Sequence, residues 1–300
     1  MVVCDLTGRD AGVKTIEALI ACPVCRSGLS NESGDGKLEA GCCCSGCGQF
    51  FPRNGQSGLP ILVHPDSELV NQIPKYIAWN PKTSLKSDYR ASRRLPPSDM
   101  PRIGTAARQE FLRRVSGKWV LNIGSGQRRV VQDDRWVNLD IEPHQNADVV
   151  ADAHFLPFRD ESFDAVSSNS VFEHLRDPFK AGAEAVRVLK PGGLLWCDVP
   201  FSYPIHGSPY DFFRYTPDGL MMIHPGLERE LSFPTKGPMG SIARFSEIAA
   251  DSIFPGKIGF VARWIIAWTM FGFQFIDPFI LRRNPNAGTS FIFLGRKPGP

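Results

Sequence analysis

Short apolar runs recur between polar breaks from about residue 119 to the end of the chain. They fall at 119–123, 136–139, 147–151, 163–167, 194–199, 228–233 and 290–295, and several end on a glycine or an acid. Runs of this length with such boundaries predict strands. Between them the spacing changes. Ile103, Ala107, Phe111, Leu112 and Val115 recur at helical intervals until Gly117 stops them. Further helices are predicted over 178–190, 216–224 and about 241–277. Strands alternating with helices predict an α/β fold on a mainly parallel sheet.

The first hundred residues follow neither pattern. Residues 1–18 read as a poorly constrained lead-in, and 19–65 as a compact unit rich in Cys and Gly. Residues 66–102 hold five prolines and few apolar clusters, the chemistry of a linker carrying short helices at most. The large domain then covers 103–300. A 300-residue chain with 42% hydrophobic and 22% charged residues is ordinary for a globular protein. Its net charge of +3 does not argue for nucleic acid or membrane by itself. The charge is uneven, however: Lys82–Lys118 carries ten Lys or Arg against Asp88, Asp99 and Glu110. That stretch is read as a solvated linker and helix face, with an anionic partner as the rival reading. Trp264–Ile276 is uncharged but short of a bilayer span, so no transmembrane segment is expected. No secretory signal stands at the start, which makes the expected location cytoplasmic.

Seven of the eight cysteines precede residue 48. Cys22-Pro-Val-Cys25 and Cys44-Ser-Gly-Cys47 form two CxxC pairs, which suit a closed four-thiolate zinc site without a catalytic role. Cys42 and Cys43 compete for the third position, but Cys44 keeps the two-residue gap to Cys47. The text CPVCRSGL…CSGCGQFFPRNGQSGLPIL resembles the zinc-ribbon domains of the methyltransferase-activator type.

The densest information lies in Val120–Gly193. Leu121-Asn122-Ile123-Gly124-Ser125-Gly126 ends a predicted strand in a tight turn, where glycine lets backbone approach a ligand. Asp140, before Ile141, ends the next strand, where a carboxylate can accept both ribose hydroxyls. Asp152, before Ala153, ends the third and can face an adenine amino group. A dinucleotide cofactor needs a third glycine on a helix N-terminus to hold its pyrophosphate. Here Gly126 leads into Gln127-Arg128-Arg129, and the connection to Trp136 is short for a helix. S-adenosylmethionine (SAM), which has no phosphate, fits better.

The stretch resembles the class I SAM-dependent methyltransferases of the type-11 group. The likeness is carried by Asp152-Ala-His-Phe-Leu-Pro-Phe-Arg-Asp-Glu-Ser-Phe-Asp164, Val171-Phe-Glu-His-Leu175 and Arg187-Val-Leu-Lys-Pro-Gly-Gly193. It implies a Rossmann-like, seven-stranded, mainly parallel sheet, ending in an antiparallel strand near 289–296. It implies that Gly124, Ser125 and Gly126 flank the amino-acid part of SAM, with Asp140 and Ile141 at the ribose. Asp152 and Ala153 would meet the adenine, and Asn169 would lie near the methyl donor. Two departures stand out. Asn122 replaces the acid usual at that position, and the helix after the glycine turn is cut short.

A sulfonium methyl is already electrophilic, so positioning does much of the work, and a base is needed only for an acceptor that must lose a proton. His174 and Glu173 are the candidates for that role. His206, Tyr210, Asp211 and Arg214 follow the fifth strand of the large sheet and are candidates for holding substrate. The Phe/Trp-rich segment 258–281 is read as a packed helix, with an apolar lid or an interfacial helix as its rivals. Three functions follow: a SAM-dependent methyltransferase for a small molecule such as a glycan or lipid-linked intermediate, an RNA methyltransferase using the ribbon and basic linker, or an inactive scaffold.

Overall fold

The computed structural model describes residues 16–32, 41–80, 103–126, 131, 133–206, 210–254 and 256–299. Most of the lead-in, the second half of the predicted linker and Gln127–Val130 lie outside the described residues, so the shortened helix and most of the basic stretch are not addressed by it.

The N-terminal unit is a three-stranded antiparallel sheet of β1 (Leu29–Glu32), β2 (Gly41–Cys44) and β3 (Phe50–Pro52). It does not stand apart from the large domain. Ala21 donates its N–H to the carbonyl of Pro157, and Arg159 donates to that of Leu19. Ile61 bridges Val150 in parallel, and the Leu62 N–H bonds the Val150 carbonyl at 2.8 Å. Residues 67–77, within the predicted linker, form a 3-10 turn (Glu68–Gln72) capped by Ser67 and then α1 (Ile73–Ile77). Tyr76 of α1 packs with Ile61, Val63 and Val150, which closes that edge of the large sheet.

The large sheet holds β4 (Val120–Ile123), β5 (Trp136–Asp140), β6 (Val149–Val150), β7 (Phe163–Asn169), β8 (Leu189–Pro200), β9 (Glu228–Lys236) and β10 (Ser290–Arg296). Their order is β6-β5-β4-β7-β8-β10-β9. The first five run parallel, and β10 is antiparallel to both its neighbours. Strand order reverses between β4 and β7, and in such sheets the crevice at the carboxyl ends beside that reversal is where ligands bind.

Both faces are covered, which is why the central strands read as unbroken apolar runs. One face packs Val120, Trp136, Ala165 and Trp196 against Phe111 and Val115, from and just beyond α2 (Thr105–Arg114). The other packs Leu121, Val137 and Val166 with α3 (Pro178–Val188), α4 (Pro217–Ile223) and the N-terminal unit. Asp177 caps α3 by accepting the Lys180 N–H, and Ala181, Gly182, Ala185 and Val188 form its buried stripe. Gly182 is required there, because a Cβ would lie 1.7 Å from the carbonyl oxygen of Ile223 in α4.

The single helix expected over 241–277 is instead α5 (Pro238–Ile253), α6 (Gly256–Phe273), a 3-10 turn and α7 (Asp277–Arg283). The cause is local: Phe254 turns extended after α5, and Gly256 opens α6 in the left-handed region at φ +65°. β9 also runs three residues past its predicted end, through Pro234. An edge strand tolerates that proline, and the ladder shifts register beside it.

Candidate functional site

The glycine turn after β4 lies across the end of β5. The N–H groups of Gly124 and Ser125 both bond the Leu139 carbonyl, at 2.9 and 3.1 Å. Gly126 donates its N–H to Asp140 Oδ2 at 2.8 Å. Both glycines have positive φ, +67° and +61°. At Gly124 a Cβ would meet Val171 Cγ2 at 2.2 Å, so the turn and the loop after β7 touch where only glycine fits.

Asp140 also accepts the Glu142 N–H and lies 3.2 Å from His144 Nε2. Burial pushes its carboxyl up, but His144 and the two backbone donors outweigh burial and hold it below its ordinary value. Asp152 caps a 3-10 turn through the His154 N–H and accepts the Ser67 hydroxyl at 2.5 Å. Burial again raises it, and His154 with Ser67 brings it net below its ordinary value. Two anionic carboxylates therefore end adjacent strands, as the sequence pattern predicts. Ile141 and Ala153 follow them at the same edge.

Asn122 is buried and donates its side-chain amide to Asn138 Oδ1 at 3.0 Å, and Asn138 in turn donates to Asp148. It supports the turn from within the sheet. Asn169 ends β7, where its Oδ1 accepts from Arg108 at 3.2 Å and from the Trp196 indole at 3.3 Å. Local reading had not singled out Ser67, Arg108 and His144. Each reaches its partner through the fold, and only His144, four residues after Asp140, left a signal in the sequence.

The loops after β7 and β8 meet above this edge. The N–H groups of Phe212 and Phe213 bond the Glu173 carbonyl, and Tyr215 donates its hydroxyl to the Phe172 carbonyl. This brings His174 and His206 together with ring centroids 5.1 Å apart. Both Nε2 atoms lie 3.8 Å from Glu173 Oε1. Glu173 is fully buried, and burial pushes its carboxyl up to about 7. Arg214 pairs with Asp211 and holds that carboxyl well below the usual range, while Tyr210 is largely exposed at the rim.

In the N-terminal unit the sulfurs of Cys22, Cys25, Cys44 and Cys47 converge within 4.8 Å of one another. Cys22 and Cys47 are 3.7 Å apart, Cys25 and Cys44 3.3 Å, and no disulfide joins them. The Val24 and Gly46 N–H groups point at the sulfurs of Cys22 and Cys44. Cys42 and Cys43 turn their sulfurs away, toward Asn31 and the Gly48 carbonyl. Four thiols at this spacing suit tetrahedral coordination of one ion. Arg26, just past the first pair, clamps the unit to the large domain by donating to both carboxylate oxygens of Glu184 and to the Leu156 carbonyl.

A doubly wound sheet with a glycine turn at its switch point, and acids ending the next two strands, is the frame of a nucleoside-cofactor enzyme. Residues 122–197 match the family model described as "Methyltransferase domain". An uncharacterized 37.1 kDa protein in transposon TN4556 of Streptomyces fradiae is 31% identical over 118 residues, 35% of this chain and 34% of that protein. Demethylmenaquinone methyltransferase of Renibacterium salmoninarum is 46% identical over 59 residues, 20% of this chain and 24% of that one. The matched region thus spans about a third or less of these relatives. Among solved structures, the [4+2]-cyclase SpnF aligns over 65% of this chain and 81% of its own, at 19% identity and TM-score 0.41. A methyltransferase solved with the Trm112 methyltransferase activator of Haloferax volcanii aligns over 64% and 88%, at 21% identity and TM-score 0.40.

Proposed function

We propose that this protein transfers the methyl group of SAM to a small-molecule acceptor that partitions into membranes, a lipid-linked intermediate being the natural class. SAM supplies an electrophilic sulfonium methyl when bound. Gly124, Ser125 and Gly126 would flank its amino-acid portion, Asp140 and Ile141 its ribose, and Asp152 and Ala153 its adenine. Asn169, at the end of β7, would lie near the methyl donor, and Asn122 holds the turn from behind. Glu173 and His174 stand where an acceptor's proton would leave. His206, Tyr210, Asp211 and Arg214 form the wall an acceptor would pass. Zinc on Cys22, Cys25, Cys44 and Cys47 would stabilise the N-terminal unit.

The observation that carries the choice of acceptor is the α5–α6 hairpin. Lys236 at the end of β9 and Ser290 at the start of β10 pair with each other, and Ser290 also pairs with Pro200 at the carboxyl end of β8. The hairpin therefore leaves and rejoins the sheet on the edge where the site lies. Ser241 of α5 donates to the Ser202 carbonyl in the loop after β8. Ile258, Val261, Trp264, Ile265 and Trp268 of α6 are all exposed, with Lys257, Arg282 and Arg283 at the ends. The sequence-based expectation of a packed helix is thus replaced by an open apolar face. The stretch Gly256–Arg283 is long and apolar enough to cross a membrane by length and composition, with 22% of its most apolar window buried. Arg263 within it pairs with Asp251 of α5, which favours a hairpin lying in the interface.

Transfer of labelled methyl from SAM into a lipid extract, compared with an aqueous extract and RNA, tests this reading. Label in the organic phase is expected, whereas label confined to the aqueous fraction or to RNA would overturn it. Trp264→Glu combined with Ile265→Glu should abolish co-sedimentation with anionic vesicles and leave SAM binding intact.

A further inference from the structure

We propose that Glu173, His174 and His206 form a site for a divalent transition-metal ion of the zinc class, beside the cofactor crevice and separate from the cysteine cluster. Glu173 sits in a short 3-10 turn (Phe172–His174), is 0% exposed, and among the described residues has no hydrogen-bond partner for either carboxylate oxygen. A buried carboxylate left this way is unfavourable unless something pairs with it. What faces it is two imidazoles, each with Nε2 at 3.8 Å from Oε1.

The other nitrogen of each ring is already engaged. His174 Nδ1 lies 2.7 Å from the Tyr210 carbonyl oxygen. His206 Nδ1 lies 3.2 Å from the Pro204 carbonyl oxygen and 3.3 Å from Asp211 Oδ2. Carbonyl and carboxylate oxygens only accept, so Nδ1 carries a proton in both rings, and in the neutral imidazole Nε2 presents a lone pair. One donor atom from each of the two imidazoles and one carboxylate oxygen thus converge within 4.8 Å of one another. A metal-ligating histidine almost always makes such an Nδ1 contact to a carbonyl or carboxylate, which fixes its tautomer. Arg214 holds Asp211 in place through a bidentate pair, so the outer shell is itself anchored.

Binding an ion would draw the three donors in to metal–ligand distances of about 2.0–2.2 Å. Two histidines and one carboxylate leave a coordination position open, unlike the closed four-cysteine set. Resting on the methyl-transfer reading, that position would hold an oxygen of the acceptor.

The test uses the full chain with its cysteine cluster filled and loosely held ions removed, into which Zn²⁺ is titrated while metal content and melting temperature are followed. The native chain should take up one ion beyond the cysteine-bound one and melt higher. Glu173→Gln, which keeps the shape, and His206→Gln should each weaken that ion's binding at least ~10-fold and lose the thermal gain, while keeping the cysteine-bound ion. Equal uptake by native chain and variants, or no uptake beyond the cysteine cluster, would overturn the site. Metal content is read without turnover, so a failure of methyl transfer leaves this result standing.

Discussion

His224 offers a test of the packing behind the site. It caps the C-terminal end of α4, is 0% exposed, and lies between Phe172 and Phe293 with ring centroids at 4.8 and 5.6 Å. Its Nδ1 lies 2.8 Å from the Leu220 carbonyl oxygen and therefore carries the proton. Its Nε2 is buried and has no partner among the described residues. Protonation would place a charge and an unmatched N–H among aromatic rings, and burial accordingly lowers this imidazole from 6.5 to about 4. The unfolded chain binds the proton near 6.5 and the folded chain only near 4. Between those values the unfolded state holds more protons, so stability is full above the upper one and falls as pH drops toward the lower. The loss is about 2 kcal/mol at pH 5 and about 3 kcal/mol at pH 4. His224→Leu keeps the apolar packing and gives up one hydrogen bond, about 1 kcal/mol, at all pH values. Urea unfolding midpoints measured from neutral to acid pH should show the native chain weakening more steeply than the variant. Other titrating groups cancel in that difference. Parallel pH profiles for the two proteins would refute the reasoning.

Two further predictions concern the glycine turn and the cysteine unit. Gly124→Ala must place a Cβ at positive φ against Val171, whereas Gly126→Ala meets nothing within 4 Å among the described residues. The first should cost more than the ~1–2 kcal/mol of left-handed strain that both incur, and only the first should displace the Phe172–His174 turn, which chemical denaturation with SAM calorimetry can separate. Cys22, Cys42, Cys44 and Phe51 share a core with Leu139, Val149 and Phe158. Chelation of a cysteine-bound ion should therefore lower the melting of the whole domain. Arg26→Ala should reproduce a smaller part of that loss, about 1 kcal/mol after allowing for its exposure. A large-domain transition unmoved by chelation would show the two units to be energetically separate.

Much of this architecture is legible in local pattern. All seven strands of the large sheet overlap apolar runs between breakers, although β8 begins five residues before its run; the five parallel strands, covered on both faces, leave that mark most plainly. The acids at 140 and 152 are legible for a related reason, since a strand that ends in a carboxylate at a sheet edge needs no distant partner to be noticed. Contacts between distant segments left no such mark. Ser67 bonds Asp152 across 85 residues, and Arg26 clamps Glu184 across 158. The pairing of residues 61–62 with β6 turns a seemingly separate ribbon into part of the sheet's border. The break near residue 255 escapes the local pattern for a different reason. Apolar residues satisfy helical spacing on both sides of Gly256, and one glycine does not by itself announce a reversal. The convergence of Glu173, His174 and His206 depends on a loop 30 residues onward folding back, which periodicity cannot report.

The proposed methyl transfer requires that the crevice at the ends of β4, β5 and β6 hold SAM. Isothermal calorimetry of the full chain with SAM, repeated on Asp140→Ala, tests it most directly. The account predicts saturable one-to-one binding to the native chain. It also predicts a ~10–100-fold loss in the variant, the worth of charge-assisted hydrogen bonds to the ribose hydroxyls. No binding to the folded native chain, or equal affinity in both proteins, would contradict it.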